Sequence, residues 1–126
     1  MRDFFQEQLK ELNRELVKMG ADCEEIIALA SDSLTGWNEN LAKNVGAIGA
    51  RIDESNRTVE NICLKLLLRQ QPVAHDLRVI SAALKMITDM ERIGDQAEDI
   101  VDLVPHMEFR PDEKFPRIRE MAKAAK

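Results

Sequence analysis

The sequence predicts an all-α protein, an up-down-up three-helix bundle of long antiparallel helices, and three observations predict it. The 126 residues include no tyrosine and only 4% aromatic residues. The bulk of the chain is Leu, Ile, Ala, Glu, Lys and Arg, a mixture suited to long helices; strands favour β-branched and aromatic residues. Apolar residues recur in alternating steps of four and three over three long stretches, the spacing of helices packed nearly side by side. Those stretches are separated by clear breakers, so consecutive helices are joined by short connections and run antiparallel.

The first seam reads Phe5, Leu9, Leu12, Leu16, Met19, Cys23, Ile26 and Ala30. Asp3 is placed to cap its start, and Glu7 adds negative charge near the positive end of the helix. Ser31, Ser33, Thr35 and Gly36 are read as a stop and a turn. The second seam is Leu41, Val45, Ile48, Ile52, Ser55, Val59, Ile62 and Leu66, with one polar break at Ser55. Gly46 and Gly49 lie inside it and weaken the helix by about 1 kcal/mol each relative to Ala. Close approach of a neighbouring helix would account for them, and so would tolerated imperfection. This helix ends near Arg69-Gln70-Gln71, because Pro72 cannot continue it but suits the first turn of the next. The third seam begins Leu77, Ile80, Leu84 and Ile87, continues through Glu91, Gly94, Glu98 and Val101, and stops around Pro105.

Residues 1–105 are therefore the three-helix bundle. Residues 106–126 are a linker, marked by Pro111 and Pro116, and the start of a truncated or swapped fourth helix. Three amphipathic helices and a stub suggest half of a larger protein or a bundle completed by a second copy, hence a homo-oligomer, a dimer. The formal net charge of −5, with no cluster of Lys or Arg, excludes nucleic acid as an electrostatic partner. Apolar runs such as Leu66 to Leu68 are far short of the ~20 residues of a membrane span, so contact with a membrane is peripheral at most. The N-terminus has no apolar signal core, so the expected compartment is the cytoplasm. Cys23 and Cys63 sit at apolar helical positions and read as small reduced core residues rather than a thiol pair or metal ligands.

The third helix carries the informative pattern. At 100° per residue, Glu91, Asp95, Glu98 and Asp102 fall in the sector that Leu77, Ile80, Leu84 and Ile87 hold upstream. Four acids along one stripe repel each other, and burying them without counter-charge is costly. A bound cation would resolve this, because carboxylates at i and i+4 present oxygens side by side to hard cations or iron. The second helix offers Asp53, Asn56 and Glu60 along one edge of its seam. The competing reading is that the core face rotates onto Met90, Ile93, Ala97, Ile100 and Val104, leaving the acids as a solvated face. Spacing alone does not decide between them.

The segment Leu67-Leu-Arg-Gln-Gln-Pro-Val-Ala-His-Asp-Leu-Arg-Val-Ile-Ser-Ala-Ala-Leu-Lys85 leads into Asp89-Met-Glu-Arg-Ile-Gly-Asp95. The combination strongly resembles the PhoU family of phosphate-transport regulators, whose repeat carries Gln-Pro…Asp-Leu-Arg followed by Glu-Arg-Ile-Gly-Asp. The likeness runs from about Met1 to Val104. It implies a repeat of three helices, arranged in tandem in family members, some of which bind iron or other metal clusters through E(D)-x-x-x-D motifs. Here that motif falls on Glu91 and Asp95. Asp53 and Glu60 join them on facing geometry and a family tendency for acids there, while Glu98 rests on its position in the stripe alone. The implied cofactor is iron, zinc or another divalent cation, with no organic cofactor. The resemblance also implies a negative regulator of the phosphate-starvation response that links the ATPase of a phosphate ABC transporter to a sensor histidine kinase. The chain departs from the family in holding a single repeat.

An enzyme is not expected. A di-iron oxidase in a helical bundle needs Glu-x-x-His on two helices, whereas Pro72 and Leu103 stand three residues before His75 and His106. No nucleophile–base pair or Gly-rich phosphate loop is present. The alternatives are a metal-independent helical interaction module and an accessory protein of a different phosphate permease. Trp37 is expected to anchor the first turn. Asp76 is expected to favour the positive end of the third helix, and Arg78 to pair with an acid or a partner.

Overall fold

The computed structural model describes residues 2–69 and 72–107. Helix α1 spans Arg2–Gly36, α2 Glu39–Arg69 and α3 Ala74–Leu103, followed by a 3-10 turn over Val104–His106. Each α-helix has 30 to 35 residues, a length of about 45–50 Å. The ends of α1 and α3 meet, because Trp37 Nε1 donates to the Val101 carbonyl at 3.0 Å. Gly49 faces Glu98 while Ile52 faces Gly94, so α2 runs opposite to α3. The arrangement is up-down-up.

The core is built from the three expected seams. Phe5, Leu12, Met19, Cys23, Ile26 and Ala30 of α1 meet Val45, Ile48, Ile52, Val59, Ile62 and Leu66 of α2. Helix α3 adds Ile80, Ala83, Ile87, Ala97 and Val101. Both cysteines are buried and free, and burial raises both thiols, Cys23 to about 11 with help from the charges of Asp22 and Glu91. They behave as small apolar groups, and the Cys23 thiol donates to the Met90 carbonyl at 3.5 Å. A salt bridge joins α1 to α2: Arg51 Nη2 stands 3.0 Å from Asp22 and 3.3 Å from Glu25.

Four local expectations are corrected. Asp3 lies inside the first turn of α1 and does not cap it. The Ser31–Gly36 stretch does not stop that helix, because Ser33 and Thr35 turn their hydroxyls back onto the carbonyls of Ala30 and Asp32 and so remain helical. The turn is Trp37-Asn38, where the Asn38 side chain accepts from Leu41 N–H at 2.8 Å and caps α2. Pro72 precedes the cap residue Val73 rather than entering the first turn of α3. In that turn Leu77 is 45% exposed and Asp76 only 2%, because the Asp76 carboxylate folds back to accept from Val73 N–H at 3.3 Å. The expected linker and fourth-helix stub beyond Met107 lie outside the described residues.

Ser55 keeps its place in the α2 seam, fully buried, with its hydroxyl lacking a hydrogen-bond partner. An unpartnered buried hydroxyl costs about 1–3 kcal/mol. Ser55→Ala should therefore raise the melting temperature, by roughly 3–8 °C if about 1 kcal/mol is recovered, as read by circular dichroism. An unchanged or lower value would mean that the hydroxyl is satisfied within the helix.

Candidate metal centre

The acidic stripe of α3 sits between the two positions that its spacing left open. Ala97 and Val104 are buried, Met90 and Ile93 pack against the core, and Ile93, Ala97 and Ile100 line a groove with Ile27, Ala30 and Leu34 of α1. The core does turn toward that side. The acids on the other side are not left fully in solvent, because they line the crossing of α3 with α2. Glu91 and Glu98 are half-buried there, whereas Asp95 and Asp102 are exposed.

Asp53 of α2 reaches this line of acids. One oxygen each from Asp53, Glu91 and Asp95 falls within 4.8 Å of the others. Glu91 and Asp95 meet because residues four apart stack on one helix face. Asp53 joins them because it follows the buried Ile52, whose side chain packs where Gly94 carries none. A Cβ at Gly94 would lie 3.2 Å from Ile52 Cδ1. Glu98 is fitted in the same way: its carboxylate occupies the space of a Cβ at Gly49. Close approach thus explains Gly49, while Gly46 faces open space and is a tolerated imperfection.

Among the described residues, no Lys or Arg pairs with Asp53, Glu91, Asp95 or Glu98. Glu91 Oε2 is buried with no hydrogen-bond partner among the described residues, and a proton, a water molecule or a cation would satisfy it. The Glu91 carboxyl is accordingly pushed up to about 7, first by burial, then by hydrogen bonding to the Asp53 carboxyl, then by the charges of Asp53, Asp95 and Glu98. Glu98 is raised in the same direction, by burial first and then by the charges of Asp53, Asp95, Asp102 and Asp99. Three converging carboxylate oxygens, with a buried Glu91 oxygen that lacks a hydrogen-bond partner, fit a hard divalent cation or iron.

Of the five sequence-derived ligand candidates, Asp53, Glu91 and Asp95 are brought together and Glu98 adjoins them. Glu60 is not brought into the group: exposed, it accepts a 2.9 Å hydrogen bond from Asn56 Nδ2. The two line a neighbouring groove of about 250 Å³ with Leu84, Ile87, Thr88 and Glu91. His75 and His106 are exposed and lie outside the acidic group. Two features escaped the sequence reading. The seating of Glu98 over Gly49 was signalled only by the glycine, and the Arg51–Asp22–Glu25 tie only by opposite charges at positions beside two seams.

The raised carboxyls set a pH dependence. Without metal, the folded chain holds a proton on Glu91 between pH 4.5 and about 7 that the unfolded chain releases. Stability is therefore greatest at the acidic side of that window and is lost as pH rises through about 7. Chelator-treated protein should melt a few degrees higher at pH 5.5 than at pH 7.5. Glu91→Gln should flatten most of the slope, with Glu98 supplying the remainder. A melting temperature that instead rises across this interval would remove the proton from Glu91.

Comparison with known proteins places the same segment in a known group. A family model described as the PhoU domain matches residues 16–104. A phosphate-specific transport system accessory protein PhoU homolog of Clostridium acetobutylicum is 36% identical over 107 residues, covering 84% of this chain and 49% of that protein. Its counterpart in Synechocystis sp. is 32% identical over 102 residues, covering 81% of this chain and 46% of its own length. That of Aquifex aeolicus is 34% identical over 95 residues, 75% of this chain and 43% of its own. The chain thus spans about half the length of the curated relatives it matches. No solved structure matches it.

Proposed function

The chain belongs to the PhoU family, and from that premise we propose that it is a regulatory adaptor of phosphate uptake and of the phosphate-starvation response. The adaptor acts in the cytoplasm and without catalysis. Its bundle is a rigid platform whose α2/α3 face binds a cation and docks the ATPase of a phosphate transporter and a sensor histidine kinase. The role follows the names of the relatives, which are accessory proteins of phosphate-specific transport. The observation that carries the metal reading is Glu91 Oε2, buried without a donor among convergent carboxylates.

In this reading Asp53, Glu91 and Asp95 hold the cation, iron, zinc or another divalent ion. Glu98 on Gly49 adds negative charge beside it, and Glu60 lies outside the set. The cation supplies positive charge where no basic side chain among the described residues does. It takes the place of the Glu91 proton and lowers the net negative charge of the face that partners meet. Pairing with a second copy belongs to the same proposal, through the apolar groove of about 240 Å³ between Ile27 and Leu34 of α1 and Ile93 and Ile100 of α3.

Elemental analysis of natively purified protein with in-line light scattering tests both parts. The expected result is at least one ion per chain, lost in Glu91→Ala/Asp95→Ala, on a dimer. Protein that stays metal-free after reconstitution would leave a metal-independent docking module, and a monomer would remove the second copy. Because the ion displaces the Glu91 proton, its apparent affinity should rise nearly tenfold from pH 5.5 to pH 6.5 and level off above about 7. Partner binding that responds equally to metal in the double variant would separate regulation from this site.

A further inference from the structure

Apart from Ser31 and Gln96, only aliphatic side chains line the groove of about 240 Å³ between α1 and α3. Apolar surface runs on past its end: Ile100, Leu103 and Met107 are 43%, 58% and 44% exposed and lead from the groove to the last described residue. This half of the bundle is also strongly acidic. Residues 20–36 of α1 include four acids and no base, and residues 89–103 of α3 include six acids and one base, Arg92. The stretch of α2 packed against both, residues 39–53, sets Lys43 and Arg51 against Glu39 and Asp53. Across the three helices, twelve acids therefore face three bases.

The sequence beyond Met107 holds a segment of matching pattern and opposite charge. Residues 108–126 lie outside the described residues, and among them Ile118, Met121, Ala122 and Ala125 recur at i, i+3, i+4 and i+7, the apolar stripe of a helix. Pro116 suits the turn that opens such a helix. Residues 117–126 carry Arg117, Arg119, Lys123 and Lys126 against one acid, Glu120. Ten helical residues span about 15 Å, and the groove from Ile93 to Ile100 about 10 Å along α3. Residues 108–116 reach about 30 Å when extended, enough to bring that stripe back from Met107 along the groove.

We infer that residues 117–126 seat in the α1/α3 groove of their own chain as a short helix antiparallel to α3. The apolar stripe covers the aliphatic lining, and the four bases lie among the acids of α1 and α3. Two arguments favour this occupant. A helix of ten residues is marginal in water by itself, so its stripe needs an apolar surface to form against. The covalent connection also holds the segment at an effective concentration on the order of millimolar, whereas a second copy must be met in solution. The seat lies on a different face from Asp53, Glu91 and Asp95 and does not depend on metal there. Its regulatory consequence rests on the pairing proposed above: segment and second copy compete for one groove, so the segment weakens pairing, and pairing displaces the segment.

Cross-linking of the full chain tests the seat. In dilute Gln96→Cys/Ala122→Cys, a short bis-maleimide should join the two positions within one chain, read by peptide mass spectrometry at monomer mass; Cys23 and Cys63 are buried and do not compete. Adding Ile118→Asp/Met121→Asp should reduce the link about 10-fold or more without altering the melting temperature. Lys43→Cys/Ala122→Cys, with its first position on α2 away from the groove, should not link. A link between chains would overturn the inference by placing the segment on a second copy. So would no link, a link that survives the two aspartates, or an equal link from position 43. Light scattering over a dilution series reads the consequence: Ile118→Asp/Met121→Asp in the otherwise unaltered chain should tighten pairing about 10-fold, and weaker pairing would overturn the competition. If neither form pairs, the second copy is removed from the groove, and the cross-link by itself decides the seat.

Discussion

The close crossing of α2 and α3 at two glycines is the constraint on which the rest of the molecule depends. Gly94 makes room for Ile52, and Gly49 makes room for the Glu98 carboxylate. A larger residue at Gly94 would press on Ile52, and one at Gly49 would displace the Glu98 carboxylate. The same crossing buries Glu91 Oε2, which has no hydrogen-bond partner among the described residues. Helix packing and the chemistry of the acidic group are therefore one feature: backbone approach, obtained at a cost in helix propensity, brings carboxylates within reach of one another.

That arrangement stores unfavourable electrostatic energy. Like charges beside each other and partial burial both disfavour ionisation, and the Glu91 carboxyl responds by keeping its proton to about 7. A proton and a cation are then competitors for the same oxygens. Where bases are available, the bundle uses them: Arg51 ties Asp22 and Glu25 across α1 and α2 at 3.0 and 3.3 Å. The contrast between these two helix junctions, one neutralised by arginine and the other by no base among the described residues, is what gives the α2/α3 face its distinct chemistry.

Along its axis the bundle is polarised as well. The α1–α2 end is closed by Trp37 against Val101 and by the Asn38 cap. The other end exposes Leu64, Leu68, Val73 and Leu77, with Lys65 and Arg78 beside them, Asp3 and Glu7 of α1 exposed at the same end, and Asp76 folded into the start of α3.

Much of this was legible in the sequence. Steps of four and three determined three helices and named nearly every core residue from Phe5 to Val101, because the helical period is a local property of the backbone. Pro72 placed the second turn, and the spacing of Glu91, Asp95 and Glu98 marked a stripe. The tertiary structure alone decided which side of α3 faces α2, that Asp53 meets Glu91 and Asp95 while Glu60 turns to Asn56, and that Asp76 rather than Leu77 is buried. A helix in contact with two neighbours buries an arc wider than one seam, so periodicity locates the arc without saying which acid within it loses water. That depends on the rotation of α3 relative to α2, and the rotation is set by side chains such as Ile52 and Glu98 packing over glycines distant in the chain.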